Sequence, residues 1–235
     1  MELVKGGSSS VIFLSHASTV VRLTREDGPR TMFKVFGSPY SQFKGLWAFG
    51  YDSVQEAQRL WDRIPLDVDV VVTHTPPWSY CDHRRDDSDE ERWFGCNGLR
   101  RVLSIVRPML AVCGHVHEGR GCHRVRWDDD GDSESVHEEV LPPIGSKKQS
   151  LVDLTGRKQR RLNNFCYTAA ANAPLLHSTN SEIPPGPIPA RKETCIVNAA
   201  IMATSWPHKG GRKFNSPIIV DLDLPAWDDN NTDQT

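Results

Sequence analysis

Two continuous apolar runs, each followed by a histidine, dominate the middle of the sequence. Residues 68–73 read VDVVVT and end at His74, while residues 109–113 read MLAVC and lead through Gly114 to His115. Apolar runs without polar alternation predict strands that are buried on both faces, as in a parallel sheet covered by helices. The two runs therefore predict neighbouring strands of one α/β sheet.

A helical pattern precedes each of these runs. Residues 53–64 begin with a capping box formed by Ser53 and Glu56, and apolar residues recur every three or four positions. Residues 97–107 show the same spacing and are followed by Pro108, which stops a helix. The order helix, strand, helix, strand is typical of βαβ connections, whose strands run parallel.

Short β-like runs flank this central part on both sides. They are residues 11–14, 18–23 and 31–37 before it, and residues 122–127, 193–206 and 216–227 after it. The close spacing of the first three favours antiparallel hairpins. The last two are expected to add the closing strands.

The stretch from residue 128 to residue 190 differs in composition. Seven acidic residues lie between Asp128 and Glu139, a basic run follows, and four prolines lie between Pro184 and Pro189. Such a composition offers little apolar surface to bury. We interpret residues 1–235 as a single domain that contains a flexible insertion over 128–190.

Charge and cysteine usage exclude some classes of protein. The formal net charge of −2 argues against a dedicated binder of nucleic acid or anionic membrane, because both require a positive field. The basic run RKQRRL at 157–162 is better interpreted as solvated charge.

The six cysteines form no CxxC pair, and no apolar run approaches the roughly 20 residues of a membrane span. No signal peptide is visible in MELVKGGSSS, so a cytoplasmic protein is expected.

The histidines that follow the two apolar runs are candidate metal ligands. Open α/β sheets bind ligands at the carboxyl ends of their parallel strands, so His74, His115 and His117 are expected to converge there. In extended backbone, residues two apart point to the same side, and Gly114 is expected to allow the chain to turn. Imidazoles suit Mn, Fe or Zn. Each histidine taken alone is also compatible with a hydrogen-bonded structural role.

Other polar residues give weaker signals. Asp82 and His83 follow the His74 loop and are better interpreted as a solvated loop than as part of a site. Asn198 follows a predicted closing strand, and the sequence assigns it no role.

Several segments together resemble the C-terminal half of the calcineurin-like metallophosphoesterases. They are FGSPY at 36–40, GLWAFGYD at 45–52, VVTHTPPW at 71–78, GC at 95–96 and VRPMLAVCGHVHEGRG at 106–121. The resemblance is to the branch that contains the metallophosphoesterase-domain-containing proteins and their fungal relatives. It covers residues 11–127 and, more loosely, 195–224.

The resemblance implies an α/β fold, a two-layer β sandwich flanked by helices (αββα), with a site that hydrolyses phosphoesters. The family site holds two divalent transition metal ions (Mn, Fe or Zn), and a metal-activated water attacks phosphorus. His74, His115 and His117 match its histidine ligands, which are divided between the two metals. No catalytic residue is carried over.

The family's D-x-H strand end, G-D loop and G-N-H motif have no counterpart in this chain, which is therefore expected to be an N-terminally incomplete domain. Histidines alone do not balance the charge of two cations, so at most one ion is expected here. An uncovered face or edge of the sheet is also expected.

These expectations define one functional interpretation and two alternatives. The first is a metal-dependent phosphoester hydrolase, such as a phosphodiesterase, that acts on a small molecule and uses neither nucleic acid nor membrane. The second is a non-catalytic remnant that serves as a binding module. The third is a truncated gene product whose missing motifs are encoded upstream of Met1.

Overall fold

The structure is a computed structural model of the chain, and it has a mixed α/β fold with a large central sheet, which confirms the predicted fold class. It describes residues 11–24, 30–43, 48–85, 91–128, 133–138, 141, 150–164, 191–204, 207–208, 210–224 and 226–227. The helices are α1 (Val54–Trp61) and α2 (Asn97–Val106). The strands are β1 (Ala17–Leu23), β2 (Arg30–Ser38), β3 (Ser41–Gln42), β4 (Gly50–Tyr51), β5 (Val70–Thr73), β6 (His83–Arg85), β7 (Glu91–Trp93), β8 (Leu110–Cys113), β9 (Gly121–Trp127), β10 (Ser133–Glu138), β11 (Ser150–Asp153), β12 (Glu193–Asn198), β13 (Ile218–Asp221) and β14 (Ala226–Trp227).

The central sheet has the order β1-β2-β5-β8-β12-β9-β10. Strand β14 also belongs to it and pairs with Arg30 and Thr31 at the start of β2. The four adjacent strands β2, β5, β8 and β12 are mutually parallel, as predicted for the two apolar runs. Strands β1, β9 and β10 are antiparallel to their neighbours. The carboxyl ends of four parallel strands therefore meet at one edge of the sheet.

Both predicted helices pack on the same face of this sheet. Ser53 caps α1, since its Oγ accepts a hydrogen bond from the backbone N–H of Glu56 at 3.2 Å. Trp61 of α1 and Leu99 of α2 are fully buried in the same apolar cluster as Ile196 of β12. Burial of this cluster, at about 25 cal/mol per Å² of apolar area, fixes the helices to the sheet.

The opposite face is covered only in part. The small parallel sheet of β11 and β13 packs its apolar side chains against Cys195 and Val197 of β12. On β5, by contrast, Val72 is 41% exposed although it lies in the middle of the sheet. Within the described part of the chain this face of β5 is therefore uncovered, which differs from the burial on both faces that the apolar run predicted. The expectation of an N-terminally incomplete domain stays a prediction.

Two regions differ from the sequence-based prediction of strands and loops. Residues 11–14 form no strand, and Val11 and Ile12 are exposed. Within the predicted insertion over 128–190, β10 extends the central sheet, β11 joins β13, and the Asn164 side chain accepts hydrogen bonds from the backbone of Lys192 and Glu193. These segments are built into the fold by different contacts: β10 by backbone pairing with β9, and residues 150–164 by the burial of Val152, Leu154 and Leu162 against β12. The rest of that range lies outside the described residues, and the single-domain interpretation stays a prediction.

The described cysteines are all buried free thiols: Cys81, Cys96, Cys113, Cys122 and Cys195. Cys166 lies outside the described residues. Neither described helix is long and apolar enough to cross a membrane.

Candidate metal site

The candidate histidines lie at the edge where the parallel strands end. His74 follows β5, and its backbone N–H donates to the carbonyl of Ser38 at the end of β2 (3.0 Å). Gly114 follows β8 and donates to the carbonyl of His74 (3.1 Å). These bonds continue the sheet pairing by one residue on each strand, so the loops that carry His74 and His115 are held side by side.

His115 occupies a tight turn with unusual backbone geometry. Its φ is 66°, in the left-handed region, and the N–H of Val116 donates to the carbonyl of Gly114 at 2.7 Å. An i to i+2 hydrogen bond around a positive φ defines a rare, strained form of the γ-turn. The turn was expected at Gly114, but the left-handed residue is His115. Strain of this kind in a non-glycine residue is often retained where a side chain must be aimed.

The structure brings His74 and His115 into contact. Nδ1 of His115 lies 3.1 Å from Nε2 of His74, and the two ring centroids are 4.8 Å apart. Two ligands that each bind one ion at about 2.0–2.1 Å stand roughly 2.9–3.4 Å apart for octahedral or tetrahedral angles. In this structure the two nitrogens are at hydrogen-bond distance, and the same separation also matches adjacent ligand positions around a single ion.

The surroundings of both imidazoles, which are exposed but partly shielded from water, favour the neutral form that binds metal. Burial lowers the pKa of His74 below its ordinary value, and positive charge on His117 lowers it further. The pKa of His115 is lowered by burial and by charge on His74 and His117. Since only the neutral ring has a lone pair to donate, these shifts favour a metal ligand over a cation at neutral pH.

His117 does not join this pair in the way that was expected. The γ-turn breaks the extended geometry, and Nδ1 of His117 donates instead to the backbone carbonyl of Thr204 at 3.0 Å. A carbonyl only accepts, so the proton of the neutral ring lies on Nδ1 and the lone pair on Nε2. Among the described residues, no three His, Cys, Asp or Glu side chains are placed to hold one ion together. The assignment of all three histidines as ligands stays a prediction.

Asn198 links the loops around the site. It is fully buried, and its Nδ2 donates to the carbonyls of Cys81 (2.9 Å) and Val116 (2.8 Å) while its Oδ1 accepts from the N–H of Ala200 (3.0 Å). One side chain thus fixes the γ-turn loop to two other loops. The sequence could not assign this role because the partners lie up to 117 residues away along the chain.

Replacing Asn198 by alanine should lower the free energy of unfolding by about 1–3 kcal/mol or more, since two buried carbonyls lose their donors. It should also weaken metal binding, because the His115 turn loses its anchor. Urea unfolding and metal titration of the purified chain measure both effects. Asn97→Ala, at an exposed position, is the control and should change stability by less than about 0.5 kcal/mol. Equal effects of the two variants would contradict the anchoring role.

The interpretation of Asp82 as part of a solvated loop is wrong. Its side chain is fully buried, and Oδ2 accepts hydrogen bonds from the backbone N–H groups of Gly95 (2.8 Å) and Ser79 (3.1 Å). Burial raises the pKa of this carboxyl, and the two backbone donors lower it. Asp82 therefore joins its own loop to the loop that contains Gly95.

An open cleft of about 800 Å³ lies beside the histidine pair. His74 and His115 form part of its lining, together with apolar side chains such as Leu14, Phe49 and Val72. The cleft lies over the uncovered face of β5. It gives a ligand access to the pair from solvent.

Sequence patterns did not identify Thr204 and His208 as neighbours of the site. Oγ1 of Thr204 lies 3.1 Å from Nδ1 of His208, while the carbonyl of Thr204 holds His117. Neither residue belongs to a recognisable motif. One feature pointed to them: β12 runs parallel to β8, so the chain that follows β12 begins at the edge of the sheet where His115 lies.

No protein-family model matches the chain. It is similar to the probable rhamnogalacturonate lyase C of Emericella nidulans, with 37% identity over 121 residues, 51% of this chain and 10% of that protein. A UPF0046 protein of Caenorhabditis elegans is 36% identical over 50% of the chain and 28% of its own length. Metallophosphoesterase domain-containing protein 1 of Homo sapiens is 34% identical over 90 residues, 38% of this chain and 27% of that protein. The chain thus spans less than a third of each of these relatives.

Proposed function

Because the chain is related to the metallophosphoesterase-domain proteins, we propose that its sheet edge is a phosphoester hydrolase site of the metal-dependent type. His74 and His115 bind one divalent transition metal ion in this proposal, and His117 lies at a second position. The observation that carries it is the 3.1 Å separation of the two imidazole nitrogens, which suits two ligands of one ion.

The separate placement of His117 supports two positions rather than one three-histidine site. Its Nδ1 proton is engaged by the Thr204 carbonyl, as expected for a ligating histidine whose other nitrogen binds metal. A bound metal would polarise a phosphoryl oxygen and lower the pKa of a coordinated water. The residues of this chain orient the ligands, and the cleft beside them admits a small-molecule phosphoester.

A second candidate function is a binding module without turnover. It is favoured by the absence, among the described residues, of a carboxylate grouped with these histidines. Two neutral imidazoles supply no negative charge, so the described residues alone do not balance the positive charge of two metal ions. For the isolated chain we therefore expect at most one bound ion and slow chemistry.

The two candidates are separated by one experiment on the purified chain. Bound metal is measured by mass spectrometry after loading with Mn²⁺ or Zn²⁺, and hydrolysis of bis(p-nitrophenyl) phosphate is followed with Mn²⁺ present. One ion or less per chain with turnover near the Mn²⁺ background supports the binding module. Turnover far above background that His115→Ala abolishes establishes a complete hydrolase site.

We further propose a cytoplasmic location, because the described cysteines are buried free thiols, as suits a reducing compartment. A small phosphoester remains the proposed partner, with neither nucleic acid nor membrane involved.

A further inference from the structure

Two buried cysteines on neighbouring strands of the central sheet lie in direct contact. Sγ of Cys122 in β9 lies 3.3 Å from Sγ of Cys195 in β12, so one thiol donates a hydrogen bond to the other. Both residues are fully buried. The contact joins two residues that are 73 positions apart in the sequence, and it is made only when the two strands pair.

The pairing of β9 with β12 places both thiols on one face of the sheet. The two strands are antiparallel, and Cys122 is opposite Val197. Side chains two residues apart on a strand point to the same face, so Cys195 shares the face of Val197 and is the diagonal neighbour of Cys122. This face is covered by the small sheet of β11 and β13, and Val152 and Leu154 belong to the same apolar cluster as the two thiols.

The contact between the two sulfurs is close to that required for a disulfide. A disulfide has an S–S length of about 2.0 Å, so the two sulfurs must approach by about 1.3 Å from their separation of 3.3 Å. Rotation of both side chains within their rotamer wells can supply this approach while the strand pairing stays intact. A disulfide has no polar hydrogen, so it also suits the apolar surroundings.

Two further buried thiols lie near the pair, but they have other partners. Cys81 interacts electrostatically with Cys113 and Cys122. The thiols of Cys81 and Cys113 donate to backbone carbonyls of β12 at 3.8 Å and 3.6 Å. The geometry therefore favours Cys122 and Cys195 over these two thiols as the residues that form a disulfide.

The folded pair reacts slowly, so the chemistry belongs to the folding chain. The hydrogen bond with Cys122 and burial both raise the pKa of the Cys195 thiol, whereas the thiolate is the form that attacks a disulfide. During folding, one chain thiolate attacks glutathione disulfide and releases one glutathione. The second chain thiolate then attacks the mixed disulfide and releases the other. Two chain thiols are thereby oxidised to one disulfide, and one glutathione disulfide is reduced to two glutathione thiols, which take up the two protons.

We propose that Cys122 and Cys195 form a disulfide when the chain folds in the presence of a small-molecule disulfide such as oxidised glutathione. The bond fixes β9 to β12, the strand that ends at Asn198 and its hydrogen bond to the His115 turn. In a reducing compartment the pair stays as two thiols, so the redox state of the surroundings sets the stability of the chain. The inference does not depend on the proposed function, because it uses neither the histidines nor a metal.

The test refolds the full chain from urea in a buffer of reduced and oxidised glutathione, blocks the remaining thiols with N-ethylmaleimide and maps tryptic peptides by mass spectrometry. Trypsin cleaves after arginine and lysine, so cleavage at Arg120 separates Cys122 from Cys113. The main cross-linked species should join the peptides of Cys122 and Cys195. The oxidised chain should unfold at a temperature roughly 5–15 °C above that of the chain kept reduced, as expected for a disulfide that closes a long loop.

Two variants provide the comparison. Cys195→Ala removes one partner and should show no rise of the unfolding temperature on oxidation. Cys113→Ala removes a buried thiol of the adjacent strand β8 and should retain both the cross-link and the rise. No cross-link in the unaltered chain, a cross-link mainly between other cysteines, or an oxidised chain that unfolds at or below the temperature of the reduced chain would overturn the inference. The peptide map of the unaltered chain decides the matter even if a variant does not fold.

Discussion

Replacing Arg191 by methionine is expected to lower the free energy of unfolding by about 3–5 kcal/mol, because it leaves a buried carboxylate without its counter-ion. Arg191 is 3% exposed, and its guanidinium lies 2.5 Å from Oδ1 of Asp69. The same guanidinium donates to the carbonyl of Val68 at 2.8 Å. Asp69 also accepts from the backbone N–H of Lys34 at 2.6 Å, so this cluster joins the start of β12 to β5 and β2.

The matched control is Arg101→Met, which breaks the ion pair between Arg101 and Asp62. The side chains of that pair are 46% and 54% exposed, so water replaces the lost contact and the cost should stay below about 1 kcal/mol. Urea unfolding of both variants measures the difference. If the two substitutions lower the free energy of unfolding by the same amount, the Arg191–Asp69 pair does not fix the start of β12 to the sheet.

Replacing His115 by alanine is expected to weaken the binding of Zn²⁺ or Co²⁺ by more than about 100-fold, since loss of even a supporting residue around a metal costs about 10–100-fold. His115 supplies one of the two imidazole nitrogens assigned to the first ion, and its partner nitrogen on His74 lies 3.1 Å away. A competition titration against a chromophoric chelator gives the affinity of each variant. Circular dichroism establishes that each variant is folded.

His117→Ala is the comparison variant that tests whether the effect is specific to His115. Nδ1 of His117 donates to the carbonyl of Thr204, and His117 is assigned to the second position, so its loss should reduce the affinity for the first ion by less than about tenfold. An equal loss in both variants would place His117 in the same coordination sphere as His115. That outcome would contradict the division of the three histidines between two positions.

The sequence was informative where local patterns decide the structure. Mainly apolar runs predicted β5 and β8 as adjacent parallel strands, and this adjacency brings the loops that carry His74 and His115 together. The capping box predicted the beginning of α1 because its hydrogen bond spans three residues. The motif resemblance correctly indicated the mixed α/β fold class and the relationship to the metallophosphoesterase-domain proteins.

The remaining features depend on contacts between residues that are far apart in the chain. The γ-turn at His115 is fixed through Asn198, and the direction of His117 depends on Thr204, 87 residues later. The burial of Asp82 depends on the N–H of Gly95 in another loop. The predicted insertion contains β11 because Val152 and Leu154 pack beneath β12, which no composition measure detects.

X-ray absorption spectroscopy of the chain loaded with one equivalent of Zn²⁺ is the sharpest test of the two-histidine site, because it counts the imidazole ligands of the bound ion. We expect two histidine nitrogens at about 2.0–2.1 Å, with the remaining positions filled by oxygen. The His117→Ala variant should give the same spectrum, and the His115→Ala variant should lose the two-histidine signal. Three histidine ligands in the unaltered chain, or a site unaffected by His115→Ala, would contradict a site built from His74 and His115.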